Sequence, residues 1–351
     1  MAGAPVKIGV IASIAHRLPP TGYGPWEQIA STLTEGFVAR GHEVTLFATA
    51  DSVTSGRVHP TARAGYEEDP TLDAKVAEAL HNAAAFSRAA DFDVLVNHFD
   101  FMPLTYARLV ETPMVTTVHG FSSEAVVAVY RACAETAHYV AISDADRHRD
   151  LRYEATIHHG IDPAAFTFAA GPGSYLLFLG RIHPDKGPHR AIEVARRSGL
   201  PIVLAGIVQD EAYFADAVAP LVDGVAVRYV GQVGPAERDR LLGGAAALLH
   251  LISFAEPFGL SVVEALATGT PVVAAALGSM PEIVRDGVTG FLVVSADVVA
   301  AAVRAVARLD EIDRRACRAD AVTRFSADRM IDDHLAVLRR VVDGHRRVAT
   351  G

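Results

Sequence analysis

The sequence predicts an α/β protein built from two parallel-sheet units, and three observations carry that expectation. The chain has 351 residues, more than one ordinary core organises, so two domains of roughly 150 to 200 residues are expected. Half of the residues are hydrophobic, enough for two cores, and they come in short runs broken by Gly, Pro and charge. Those runs form two series with a Gly- and Pro-containing stretch between them.

The first series is KIGVIAS at 7–13, EVTLFAT at 43–49, DVLVN at 93–97, MVTTV at 114–118 and HYVAI at 138–142. The second is YLLFLG at 175–180, PIVLAG at 201–206, VAVRYVG at 225–231, AALLHLI at 246–252 and PVVAA at 271–275. Each is largely apolar on both faces, as strands covered by helices on both sides must be, and Ala-rich helical stretches separate them. The intervening PAAFTFAAGPGS at 163–174 favours a turn or hinge. The expected domains are residues 1–168 and 169–325. In 326–351, Met330, Ile331, Leu335, Leu338 and Val341 recur near the helical period, which predicts a terminal helix packed on a neighbouring surface.

Composition narrows the partners. A net charge of −9 and a pI near 5.9 argue against nucleic acid, which needs a surplus of Lys and Arg on one face. No apolar run is long enough to span a bilayer. The start, MAGAPVKIGVIAS, lacks a basic leading region and reads as a buried first strand rather than a secretory signal. Cys133 and Cys317 lie far apart without metal-ligand spacing, which points to a reducing cytoplasm. The 15 histidines show no HExxH or HxxxH spacing and read as scattered structural or surface residues. Asp144-Ala145-Asp146 has the look of a metal-binding DxD. In its context, AISDADR, it reads as a strand followed by a Ser143 N-cap and acids in a first helical turn. No metal and no cofactor is expected.

The most informative segment is FAEPFGLSVVEALATGTPVVAAALGSMPEIVR at 254–285. It follows the strand AALLHLI, so Glu256 sits near a strand's carboxyl end, where α/β sheets bind ligands, and Pro257 and Gly259 turn the chain into a helix. The N–H groups of Phe258, Gly259 and Leu260 then lie at a helix N-terminus, suited to a diphosphate. Glu264, about one turn further on, is placed to accept from a pair of ribose hydroxyls, with Glu256 on the sugar side. In FLGRIHPDKG at 178–187, Arg181 and Lys186 bracket a turn after a buried strand, so two cations can converge on a pyrophosphate and stabilise a leaving group. In PPTGYGPWE at 19–27, Gly22 and Gly24 let the backbone around Tyr23 approach a ligand at another helix start. TVHG at 117–120 sets His119 at the end of a strand.

EPFGLSVVEA at 256–265, GTPVVA at 269–274 and PEIV at 281–284 together resemble the signature of the family 4 retaining glycosyltransferases of the GT-B fold. The resemblance runs through RGHEV at 40–44, where His42 reads as fixing a helix-to-strand turn, to HHGIDPAAF at 158–166, where His159 replaces the family's usual Asn and Asp162 and Phe166 shape a hinge. It implies two Rossmann-like domains facing across a cleft, the first for the acceptor, the second for the nucleotide sugar, and a terminal helix crossing back to the first. It implies that Arg181 and Lys186 bind the donor diphosphate, that Glu256 and His119 contact the transferred sugar, and that Glu264 holds the ribose. The family's Gly-Gly loop is replaced here by Thr21-Gly22-Tyr23-Gly24.

The implied reaction is transfer of a hexose, with retention and without a metal ion, from a nucleotide diphosphate sugar to an acceptor hydroxyl. UDP-sugars are the commonest donors in the family and GDP-sugars second. A GT-B-like epimerase would act without an acceptor, a phosphorylase would need a pyridoxal phosphate lysine or a phosphate site, and a non-catalytic binder would lose the sugar-facing residues. The acceptor, a small molecule or a glycan precursor, would meet the first domain's loops at 15–26, 51–75 and 99–104, where Tyr23, Trp26, Phe99 and Phe101 either stack on it or pack. A lipid acceptor at a membrane surface stays open, without support from the negative charge.

Overall fold

A computed structural model describes residues 4–121 and 123–350, with side chains described up to 347. The chain divides into two compact units: residues up to Gly160 together with the stretch from Ala327, and Ile161–Ser326.

The first unit is a seven-stranded parallel sheet in the order β3-β2-β1-β4-β5-β6-β7. Its strands are Lys7–Ala12 (β1), Glu43–Thr49 (β2), Arg57–Ala62 (β3), Val94–His98 (β4), Met114–Val118 (β5), His138–Ala141 (β6) and Tyr153–Thr156 (β7). β4 and β5 are buried throughout, as the continuous apolar runs require. The two edge strands, β3 and β7, were not among the expected ones. RVHPTA and YEAT carry no apolar run, and an edge position tolerates the exposed Pro60 and Glu154 that a central one would not.

The terminal helix Ala327–Thr350 belongs to this unit and lies against the Pro25–Ala39 helix. Ile331 fills the space a Cβ at Gly36 would take, and Arg40 pairs with Asp328 at 3.0 Å and Asp332 at 2.5 Å.

The division between units falls after Gly160, not after 168. Ile161 bridges to Ser326, and its N–H donates to the Phe325 carbonyl at 2.9 Å. The stretch read as a hinge is part of the second unit: Asp162 caps a short turn through the Ala164 N–H at 2.9 Å, and the Ala169 N–H reaches the Thr268 carbonyl at 2.9 Å.

The second unit is a six-stranded parallel sheet in the order β10-β9-β8-β11-β12-β13. Its strands are Tyr175–Leu179 (β8), Ile202–Ala205 (β9), Val227–Tyr229 (β10), Ala245–His250 (β11), Val272–Ala275 (β12) and Gly290–Val293 (β13). β13, unforeseen, is a four-residue edge strand beside β12. β8 and β11 are neighbours, so the loops leaving their carboxyl ends, which carry Arg181 to Lys186 and Ser253 to Gly259, lie side by side.

Candidate functional site

Two loops of the second unit are laced together before any functional side chain is placed. The Ser253 N–H donates to the Asp185 carbonyl at 2.8 Å, and the Arg190 guanidinium donates to the carbonyls of Leu251 at 3.2 Å and Ile252 at 3.3 Å. Gly187, at φ 73°, presses against the Leu251 carbonyl where a Cβ has no room. This fixes Lys186 over the end of β11.

Lys186 Nζ lies 2.5 Å from Glu256 Oε2 and 4.7 Å from the centre of the Phe254 ring. His250, the last residue of β11, brings Nε2 to 3.3 Å from the same oxygen. The Glu256 side chain is 11% exposed. Burial alone would push its carboxyl up, but His250 and then Lys186 outweigh it and hold it down to about 2. Glu256 is therefore an acceptor of hydrogen bonds across the working pH range and not a proton donor. Arg181 points elsewhere: its guanidinium donates to Gln209 in the loop after β9.

The segment 255–258 is held from behind. The Ser279 N–H donates to the Glu256 carbonyl at 2.9 Å, and Ser279 Oγ donates to the Phe258 carbonyl at 2.8 Å. Gly278, at φ 59°, has Glu256 backbone where its Cβ would be. Sequence reasoning gave Gly278 and Ser279 no role, although both lie inside the quoted motif. The Phe258 ring is buried near Phe325, so the site receives its backbone and not its side chain.

Gly259, at φ 89°, opens the Leu260–Thr268 helix without a side-chain cap. The positive end of that helix therefore faces the Glu256 loop. Glu264 is buried one turn in, with Oε1 3.3 Å from Arg238 Nη1. Burial raises its carboxyl, and Arg238 opposes the rise only in part.

The remaining expected residues lie in the first unit. Gly24, at φ 154°, precedes the Pro25–Ala39 helix, and a Cβ there would press on Pro20 and Glu27. Tyr23 is exposed, and Gly22 adjoins it in the same loop. Trp26 stacks on His119, ring centres 5.4 Å apart at 22°. Phe99 is buried against His81, and Phe101 packs on the core, so those two rings are packing residues.

Four of the histidines, His98, His119, His159 and His334, are not scattered but come together in the first unit. His98 Nδ1 lies 2.9 Å from His119 Nε2, and His119 Nδ1 lies 3.2 Å from His159 Nε2. His334 joins from the terminal helix through Thr117 Oγ1 at 3.4 Å, and its Nδ1 donates to the Met330 carbonyl at 2.8 Å. The sequence signal was present: β4 ends in His98, His119 follows the adjacent β5, and the two rings meet at neighbouring strand ends. Burial, then the neighbouring histidines, lowers the affinity of His98 and His119 for a proton well below the usual range. Both His119 nitrogens are engaged by other histidines, so a sugar contact from this ring would displace one of them.

The Asp144-Ala145-Asp146 segment is a bend and turn, not the expected helix start. The Asp146 N–H donates to Ser143 Oγ at 3.1 Å, Thr156 of β7 donates to Asp144 Oδ1 at 2.5 Å, and the His148 N–H donates to the Tyr153 hydroxyl at 2.9 Å. Among the described residues, no group of three or more His, Cys, Asp or Glu side chains is placed to hold a metal ion.

A family profile described as glycosyl transferases group 1 matches residues 167–321, and one described as Glycosyltransferase Family 4 matches 27–165. The chain belongs to the family 4 glycosyltransferases. Within that family it is 41% identical over 177 residues to a D-inositol 3-phosphate glycosyltransferase of Mycolicibacterium paratuberculosis, 47% of this chain and 40% of the relative. The alignment thus spans less than half of that curated protein. It is 27% identical over 361 residues to a glycogen synthase of Mycobacterium tuberculosis, 84% of this chain and 85% of the relative. The fold matches that of Anabaena HepE in complex with UDP and glucose, with a TM-score of 0.73 at 17% identity over 95% of this chain and 100% of the other. This shared architecture is GT-B. Among the described residues, no helix of this glycosyltransferase is long and apolar enough to cross a membrane.

Proposed function

We propose that this glycosyltransferase moves a hexose from a nucleotide diphosphate sugar, UDP-linked before GDP-linked, to an acceptor hydroxyl with retention and without a metal ion. The observation that carries the reading is the carboxylate pair of one motif, Glu256 and Glu264, flanking the start of the Leu260–Thr268 helix with Lys186 on Glu256. The UDP in the HepE complex supports a uridine donor.

The diphosphate is received by the backbone N–H groups of residues 258–260, with Lys186 adding positive charge as the leaving group forms and Arg181 joining it only by leaving Gln209. Lys186 serves two anions, since Glu256 already holds its ammonium over the loop. Glu256, ionised throughout, accepts hydrogen bonds from sugar hydroxyls and fixes the ring. In the reaction the bond from the anomeric carbon to the diphosphate oxygen breaks as the acceptor oxygen bonds to the same face. The acceptor proton passes to the departing diphosphate. Glu256 is not assigned as a covalent nucleophile, because Lys186 and His250 already draw on its charge. Glu264 accepts from the ribose hydroxyls. Gly22, Tyr23, Gly24 and His119 keep the donor-side assignment that the family resemblance implies, and the acceptor is a small molecule or glycan. The free, buried thiols of Cys133 and Cys317 suit a reducing cytoplasm.

The test is hydrolysis of a panel of nucleotide sugars by purified protein with a chelator present, wild type beside Glu264→Ala and Lys186→Ala. Slow release of nucleoside diphosphate from one donor, lost in both variants and indifferent to chelator, is the expected result. Turnover that stops with chelator would overturn the metal-free reading, and no turnover or binding of any donor would overturn the assignment.

A further inference from the structure

We infer that Arg238, outside the motifs that carry the family resemblance, completes the ribose-reading element with Glu264. The inference rests on the donor-site reading above. Arg238 stands on the Pro235–Gly244 helix, which is tied to the loop before β12 by the Thr270 hydroxyl donating to the Leu242 carbonyl at 2.6 Å. From there its Nη1 reaches 3.3 Å from Glu264 Oε1, and among the described residues it is the cation paired with that carboxylate. The neighbouring charges on the same helix, Glu237 and Arg240, are taken up with each other at 2.9 Å.

Two further facts turn a salt bridge into a binding element. Arg238 Nε is buried and makes no hydrogen bond, while the side chain as a whole is 33% exposed. A guanidinium donor shut away from water without an acceptor is costly, unless an oxygen meets it in the working state. Glu264, itself buried, has lone pairs beyond those facing Arg238.

The chemistry that fits is a vicinal diol. Each ribose hydroxyl both donates and accepts; a carboxylate only accepts, and a guanidinium only donates. Side by side they satisfy both roles of both hydroxyls, which neither does alone. Arg238 thus fixes the Glu264 carboxylate and presents its remaining N–H groups to the hydroxyl oxygens. The donor nucleotide is thereby read as ribose and not deoxyribose.

The experiment is a calorimetric titration of the full chain with UDP and with 2′,3′-dideoxy-UDP, and the same pair of guanosine nucleotides. Wild type, Arg238→Ala, Arg238→Lys and Glu264→Ala are compared after checking that each melts cooperatively. Wild type is expected to prefer the ribose form by about tenfold or more. Arg238→Ala should collapse that preference toward that of Glu264→Ala, with dideoxy affinity within about twofold of wild type and Arg238→Lys in between. A ribose preference retained in Arg238→Ala, or an equal loss for both forms, overturns the inference while leaving the donor site standing. A wild type that binds neither UDP nor GDP overturns the donor site and this inference together.

Discussion

Lys186 Nζ and Glu256 Oε2 are 2.5 Å apart with both side chains largely buried, and this pair joins the loop after β8 to the loop after β11. Removing one partner of a buried pair strands the other charge, at a cost of about 3 to 5 kcal/mol. Lys186→Met alone should therefore lower the melting temperature of the second unit, and Glu256→Gln added to it should restore most of the loss. Activity should stay abolished in both. A double variant no more stable than the single one would show that the pair does not hold these loops together.

Gly278 gives a backbone test of the same loop. Its φ of 59° and the Glu256 backbone at its Cβ position make Gly278→Ala a displacement of 255–258, whereas Gly41, at φ 84° with open space, meets only the conformational cost of about 1 kcal/mol. Gly278→Ala should lose donor turnover by tenfold or more on the order-of-magnitude scale of a misplaced site, and Gly41→Ala should leave turnover within about twofold. Equal turnover in the two variants would remove the role assigned to Ser279 and Gly278.

How much of this was legible in the sequence depends on whether burial or contact made the feature. The central strands were legible because burial on both faces leaves continuous apolar runs, as in VLVNH and MVTTV. The edges β3 and β7 were not, since exposed strands leave no such run, whereas GFLV of β13 is an apolar run as long as IVLA of β9 and VVAA of β12 and was legible in principle. Glu256, Glu264 and Lys186 were legible through their motif and its place after a strand. His250 and Arg238 were not, because each acts through a side chain that tertiary packing brings from another element. The histidine chain was missed for the same reason, its members being separated by 21 and 40 residues. The break at Gly160 was missed because a bridge between Ile161 and Ser326, distant in sequence, sets it.

The buried histidines set the acid limit of the first unit. His81 and His334 are held down to about 4, chiefly by burial, with carbonyl hydrogen bonds only partly opposing it. A folded-state value below the unfolded 6.5 means that the unfolded chain binds more protons at mildly acid pH. Stability is therefore intact above about 6.5 and is lost as pH falls from there through about 4. Each such histidine costs about 1.4 kcal/mol per pH unit in that window. Glu256, held at about 2 against an unfolded value of 4.5, adds its own loss mainly as pH falls below about 4.5, beneath the pH 7 to 5 range followed here. Urea unfolding followed from pH 7 to 5 should show a falling midpoint, and His334→Gln, which keeps a donor for the Met330 carbonyl but binds no proton, should flatten the slope by about one histidine's share. A slope unchanged in that variant would mean that His334 takes up its proton in the folded state, against the burial seen on every side of it.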